Sequence, residues 1–323
     1  MNRFELARAT NTAEARTLVS ERPGSVLKAG GIDLLDHLKE HLLEPPRVVD
    51  IKRIPGLDAI HVEADGSLRI GALATLARVA AHAGVQKSHP ALARACGEAA
   101  SPQIRNLATI GGNLLQRPRC WYYRLESYKC IKKGGDTCFA VAGENRYHVL
   151  WGGGPAFPPH PSNAAVPLLA YGASFVLDGE KGPRVVPASE FFVLPAKDPT
   201  RENVLQPGEI LTEIRVPAAA GWRSGYEEIR ERTAFDWPLV SAAVALRGDG
   251  GTVRDARVVL GWVATIPWRS AAAEKALVGR TLNAATAEAA AKAAVEGAEP
   301  MTDNAYKVAL VQTLVRRMVA SLA

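Results

Sequence analysis

Lys28-Ala-Gly-Gly-Ile-Asp-Leu-Leu35 sets two glycines between a short apolar run and a stretch with helical spacing. Glycine carries no Cβ, so the main chain there can lie directly against a ligand. The helix that follows offers unpaired N–H groups and the positive end of its dipole, which suits an anion such as a phosphate. One Gly-Gly alone reads equally as a plain strand-to-helix turn. A second pair changes the balance. Ala108-Thr-Ile-Gly-Gly-Asn-Leu-Leu115 puts Gly111 and Gly112 beside Thr109 and Asn113, and Ser101-Pro-Gln-Ile-Arg-Asn106 just before it supplies Arg105 and Asn106. Two such cradles can hold the two ends of a diphosphate. Neither follows G-x-G-x-x-G or the Walker pattern, so the chain is no ordinary Rossmann or P-loop protein.

The cysteines are Cys96, Cys120, Cys130 and Cys138, and the last three fall within nineteen residues of a glycine-rich stretch running from Arg119-Cys-Trp-Tyr-Tyr to Lys-Gly-Gly-Asp-Thr-Cys138. Irregular spacing in a loop suits thiolates that wrap a soft-metal cluster, which a helix cannot do. Three cysteines with no joint role is the alternative on spacing alone. A disulfide scaffold is not expected in 323 residues opening on Met-Asn-Arg-Phe-Glu-Leu6, which lacks the apolar core of a secretory signal. His160 is read as a turn residue before Pro161. No Ser-His-Asp set, H-E-x-x-H pair or C-x-x-C motif occurs, so hydrolysis and zinc chemistry have no support.

The elements that must position these residues follow from periodicity and turn chemistry. Helical spacing marks 12–20 and 33–41, with strands at 25–29 and 47–51 around them. Asp65-Gly66 turns a hairpin between 61–63 and 67–70, and helices are expected at 75–83 and 89–100. Residues 106–163 show little periodicity, and 166–177 returns to apolar character. Strands at 239–246 and 256–263 flank a hairpin turn at 249–251, and helices at 283–297 and 304–322 close the chain.

The pair AGGIDLL and ATIGGNLLQ, with QIRN before the second, resembles the FAD-binding medium subunit of the molybdenum hydroxylases: xanthine dehydrogenase, carbon monoxide dehydrogenase and aldehyde oxidoreductase. The likeness runs on through Tyr226–Val240 and the C-terminal helices, so it covers essentially the whole chain. It implies an α+β protein. A two-lobed FAD-binding domain of the PCMH type would occupy 1–217, with lobes about 1–55 and 56–217 and a cysteine-containing insertion about 117–160. A C-terminal α+β domain of the CO dehydrogenase flavoprotein type would occupy 222–323. Carried over, FAD would be bound by Lys28, Ala29, Gly30, Gly31, Ile32, Asp33, Arg105, Asn106, Thr109, Gly111, Gly112, Asn113, Ser162 and Asn163. Three positions depart from the family. Ile32 replaces a hydroxyl residue, losing one hydrogen bond of about 1 kcal/mol. Asn163 stands where an aspartate is common beside the flavin. Glu228, in the Tyr226–Trp237 segment that runs beside the isoalloxazine ring, replaces a basic residue, leaving Arg230 or Arg232 to supply the charge that tunes it.

A subfamily with 4-hydroxybenzoyl-CoA reductase and periplasmic aldehyde oxidoreductase carries an extra [4Fe–4S] cluster in this insertion, and 143–148, 151–155 and 160–162 match it. The metal ligands would be Cys120, Cys130 and Cys138, but the fourth cysteine position is Ala156. The fourth iron of a [4Fe–4S] iron–sulfur cluster would then take His148, His160 or an exogenous ligand; the alternatives are a [3Fe–4S] cluster on the three thiolates, or loss of the cluster.

The function implied is that of a flavoprotein subunit of an oxidoreductase, with no catalytic side chain. Electrons would pass from a large molybdopterin-binding subunit through a small [2Fe–2S] subunit to FAD, then to an external acceptor. Two other classes are carried beside it: a redox-silent assembly or scaffold subunit that has lost its cofactors, and a self-sufficient flavin oxidase. The basic balance, 39 lysines and arginines against 33 acids for a net +6, is scattered without a block of five, so nucleic acid is not an expected partner. No apolar run reaches the roughly 18 residues of a membrane span. The chain reads as cytoplasmic, or periplasmic if a partner's export signal carries it.

Overall fold

The computed structural model describes residues 1–232, 235–249 and 251–323. Gly250, in the turn expected at 249–251, and Thr233 and Ala234, in the 226–237 segment, lie outside the described residues. The chain opens with β1 (Glu5–Arg8), α1 (Thr12–Ser20), β2 (Val26–Lys28), α2 (Ile32–Lys39) and β3 (Arg47–Asp50), whose strands form a parallel sheet in the order β1-β3-β2. Asn11 starts α1 by accepting the Glu14 N–H at 2.8 Å, and the helix buries Ala15 in a core with Val49 and Ile51. The second helix stops at Lys39, two residues short of the sequence expectation, and His41 then takes a left-handed φ of 54°.

Next come β4 (Ile60–Val62), β5 (Leu68–Gly71), α3 (Leu76–Ala81), α4 (Ala83–Ser88), α5 (Pro90–Glu98), α6 (Pro102–Leu107), α7 (Ile110–Leu115), α8 (Trp121–Arg124) and α9 (Ala165–Ala170). They are followed by β6 (Ser174–Gly179), β7 (Gly182–Pro187), α10 (Ala188–Phe191) and β8 (Ile210–Val216). The strands pair antiparallel in the order β4-β5-β8-β6-β7. Leu76, Leu92, Leu114, Leu168 and Phe175 meet in the core beneath them. The apolar run at 166–177 is divided at Gly172, whose φ of 69° ends α9 and redirects the chain into β6.

The remainder is an antiparallel sheet, β9 (Trp222–Arg230), β10 (Pro238–Asp249), β11 (Thr252–Gly261) and β12 (Trp268–Arg269), followed by α11 (Ala271–Leu277), α12 (Ala284–Ala293) and α13 (Tyr306–Ser321). These helices cover one face through Leu277, Ala290 and Leu314, while the other face packs on α5 and α9 through Tyr226, Ala243, Ala95 and Val166. The start of α13 also anchors the cysteine-bearing stretch. Asn304 Nδ2 donates to the carbonyls of His148 and Val149 at 3.0 Å each, and Lys307 Nζ donates to those of Tyr147 at 3.0 Å and Trp262 at 2.9 Å. Burial without a carboxylate partner pulls the Lys307 ammonium down to about 7. Among the described residues no helix is long and apolar enough to cross a membrane.

Candidate functional site

Both glycine loops line one cleft of about 740 Å³. Backbone contact brings them together. A Cβ on Gly30 would lie 2.0 Å from the Leu107 carbonyl oxygen, so the first loop rests directly on the chain leading into the second. That chain is held in turn by Leu76 N–H to Ala108 O at 2.9 Å, Ile110 N–H to Ala74 O at 2.8 Å and Gly111 N–H to Ala72 O at 2.9 Å. A Cβ on Gly111 would meet Ala72 O at 2.8 Å.

The loops offer different things. Gly31, at φ 82°, opens α2 with no side-chain cap, which leaves the first-turn amides without a partner among the described residues. At α7 the Gly112 N–H already reaches Thr109 Oγ1 at 3.1 Å, and the Ile110 and Gly111 amides are spent on the 72–74 backbone. The first loop therefore presents donors to an anion, and the second presents a surface thin enough to approach.

Of the residues expected to bind, Lys28 to Asp33, Thr109, Gly111, Gly112, Asn113 and Asn163 line the cleft. Arg105, Asn106 and Ser162 do not. Arg105 donates to the carbonyls of Ala99 at 2.9 Å and Ala100 at 2.8 Å, holding a left-handed residue in place. Asn106 is exposed on α6. Ser162 is buried behind Asn113, donating to its Oδ1 at 2.7 Å and accepting the Ala165 N–H at 3.0 Å, which fixes the start of α9 against α7. The Asp33 carboxylate is also already engaged. It takes Arg119 at 2.9 Å, Arg124 at 2.8 Å and the Arg117 N–H at 2.8 Å. Burial pushes this acid up, but the guanidinium groups outweigh it and hold the carboxyl below its usual range. The cysteine-bearing stretch is thus tied to the first glycine loop.

The family model described as the FAD-binding domain in molybdopterin dehydrogenase matches residues 2–219, and that of the CO dehydrogenase flavoprotein C-terminal domain matches 224–322. The chain belongs to this family. It is 34% identical over 323 residues, 99% of this chain and 98% of the other, to the aldehyde oxidoreductase FAD-binding subunit PaoB of Escherichia coli. It is 31% identical over 324 residues to the carbon monoxide dehydrogenase medium chain of Hydrogenophaga pseudoflava, covering 98% of this chain and 95% of that one. A solved structure of that carbon monoxide dehydrogenase, lacking the Mo-pyranopterin moiety, matches with a TM-score of 0.78 at 32% identity over 99% of this chain and 97% of the other. The chain is accordingly an FAD-binding subunit of the molybdenum hydroxylase type. An FAD diphosphate fits the features of the cleft: uncapped amides at one loop, and at both loops backbone packed so closely that side chains are excluded.

Asn163 and Glu228, two of the positions expected to depart from the family, are in contact. Asn163 Nδ2 donates to Glu228 Oε1, Tyr226 Oη donates to the same oxygen, and Arg230 Nε reaches Oε2 at 2.8 Å. Arg230 also donates to Glu98 O at 2.7 Å, while Arg232 is exposed. Neither Arg230 nor Arg232 lines the cleft. The guanidinium that does line the cleft is Arg119, stacked over Trp237 at 4.7 Å. Sequence reading passed over it, although it sits beside Cys120.

An aspartate at 163 would set two carboxylates in contact. Asn163→Asp is expected to destabilise the chain by about 2 kcal/mol, a one-to-two-unit displacement of a carboxyl pKa. Burial already holds the Glu228 acid up. The added pair would retain a proton in the folded state that the unfolded chain releases, so stability relative to wild type falls as pH rises above about 4. Thermal melts across pH measure this. Glu228→Gln in the same chain restores the lost stability, and a melt that Glu228→Gln leaves unrepaired would refute the coupling.

Cys120, Cys130 and Cys138 lie close enough that a charge on either of the other two opposes ionisation of Cys120. Burial pushes the Cys120 thiol up to about 12. Burial also raises Cys138, against the amides of Phe157 and Ala140. Among the described residues no three His, Cys, Asp or Glu side chains come together as a group that could hold a metal ion. Cys96 is buried in the core with Leu92. His148 Nε2 lies 3.3 Å from Cys120 Sγ. His160 is not in a turn as expected. It lies in irregular chain, 3% exposed, edge-on to Phe192 at 4.7 Å, and burial lowers its imidazole to about 3.

Proposed function

We propose that the chain is the electron-relay subunit of a heteromeric molybdenum hydroxylase, standing between a small [2Fe–2S] subunit and an external acceptor, with a large molybdopterin-binding subunit completing the complex. The observation that carries this is the single cleft shared by Gly30–Gly31 and Gly111–Gly112. The α2 amides and Lys28 would hold the FAD diphosphate, with Ile32, Asn113 and Asn163 along the walls and Thr109 shaping the second loop. Bound there, the flavin supplies reversible one- and two-electron redox chemistry. The chain's own residues act by position. Arg119 holds a cation at the cleft wall, and Phe235 and Trp237 shelter the opening from water. The flavin-binding portion would span 1–217, with lobes about 1–55 and 56–217, and the C-terminal portion 222–323.

Cys120, Cys130 and Cys138 would hold an iron–sulfur cluster by three thiolates. The proximity of the three sulfurs, close enough for their charges to oppose one another, supports that assignment. The retained cleft weighs against a scaffold that has lost its cofactors.

Acid release of flavin from the purified full chain tests the reading. One FAD per folded chain is the expected result. A folded chain that takes up no FAD on incubation overturns it in favour of the scaffold.

A further inference from the structure

Two carboxylates stand where the cleft should receive an anion. Asp33 and Asp36, one turn apart on α2, both line it beside the first-turn amides. An acid at that end of a helix takes the favourable place a phosphate would occupy, and a second acid adds repulsion.

Both acids are answered from the cysteine-bearing stretch. Arg124 reaches Asp33 Oδ1 at 2.8 Å through Nη2 and Asp36 Oδ2 at 2.7 Å through Nη1, so one guanidinium bridges the pair. Arg119 adds contacts to the same two oxygens at 2.9 and 3.6 Å. Two carboxylates thus meet two guanidinium groups, and the cluster is neutral. Arg117 gives Asp33 only its backbone N–H, at 2.8 Å, since its guanidinium is paired with Glu202 at 2.7 Å.

The bridge is held from behind. Arg124 Nε donates to Pro118 O at 2.8 Å and Nη2 to Arg117 O at 2.9 Å, and the side chain is 13% exposed. Arg124 does not line the cleft, so it acts through Asp33 and Asp36 and not by touching a ligand. An aspartate in the first turn of a helix competes for the amides around it. Here the Asp33 oxygens are taken up by the arginine donors, and α2 carries no side-chain cap.

We propose that Arg124 is a positioning residue for the FAD diphosphate: by holding and neutralising Asp33 and Asp36, it keeps the N-terminus of α2 open to an anion. The proposal rests on the flavin reading above and deepens it. It gives residues 117–124 a task at the first glycine loop that is independent of what the thiols hold.

Arg124→Met keeps an aliphatic stem and removes the charge. Fluorescence titration of the full chain should show FAD bound about tenfold more weakly, one carboxylate being left unbalanced at the loop. Adding Asp33→Asn to that chain restores neutrality and should bring the affinity back to within about threefold of wild type. Asp33→Asn alone leaves a surplus positive charge and should bind FAD at least as tightly as wild type. A clamp that matters only as a tether gives the opposite order, because each substitution removes another bond between 117–124 and α2. The double variant would then bind weakest. Equal affinity of Arg124→Met and wild type, or a double variant no tighter than Arg124→Met, overturns the proposal. If Arg124→Met does not fold, Asp33→Asn alone decides, and weaker binding than wild type overturns it. A wild-type chain that takes up no FAD fails the flavin reading instead, so the two failures are distinguishable.

Discussion

Gly30→Val is expected to yield a folded chain whose affinity for FAD is at least 100-fold lower, about 2.7 kcal/mol. The first added carbon would stand 2.0 Å from the Leu107 carbonyl oxygen, with the rest of that peptide at 2.9 Å. Backbone, not a flexible side-chain tip, has to give. The 28–33 loop must then lift from 107–108, and the spacing between the loops, which a diphosphate has to match, is lost. The other glycines set a scale. Gly111→Val meets Ala72 O at 2.8 Å and the Ala72 Cβ at 2.9 Å, so it should cost less. Gly112→Ala meets Thr109 Oγ1 at 3.0 Å, the end of a side chain, and should cost least. Flavin fluorescence titration of the three variants, with melts to confirm folding, gives the order. A Gly30→Val chain that binds FAD like wild type would mean that the loops do not act jointly.

Why these glycines were legible in the sequence, and much of their surroundings was not, comes down to range. A Gly-Gly between a strand and a helix is a local signal, and α1, α2 and the 65–66 hairpin likewise follow from caps, periodicity and turn residues a few positions apart. Arg105 and Ser162 also look like binders locally, since both are polar and lie next to cofactor motifs. Their partners, the Ala99 and Ala100 carbonyls and the Asn113 amide oxygen, are set by tertiary packing. Asp33 shows the same effect. Placed at the start of a helix it reads as part of an anion cradle, yet it is consumed by arginines 86 and 91 positions away. The Asn163–Glu228 contact spans 65 positions, so two residues that look independent in sequence are partners in space. Strand β7 was illegible because an edge strand carrying Pro183 and Pro187, largely exposed, has no alternating pattern to read.

The same logic bears on the insertion, where the fourth cysteine position is taken by a fully buried Ala156. Its neighbour Phe157 turns its amide toward the Cys138 sulfur, so the position adjoins one of the three thiols. Ala156→Cys gives opposite results under the two readings of those thiols. If they hold nothing, adding a sulfur to a filled core overpacks it and lowers stability by about 1–3 kcal/mol. If they hold a cluster, a fourth thiolate completes the ligand set, and the metal's binding energy is added to folding. The expected outcome is the second. Iron and sulfide per chain should rise, iron should survive a chelator at least tenfold longer, and the melting temperature should increase under reducing conditions that exclude a disulfide with Cys138. An iron-free Ala156→Cys chain that melts below wild type would leave Cys120, Cys130 and Cys138 as thiols without a joint role, Cys130 buried and the other two part-buried.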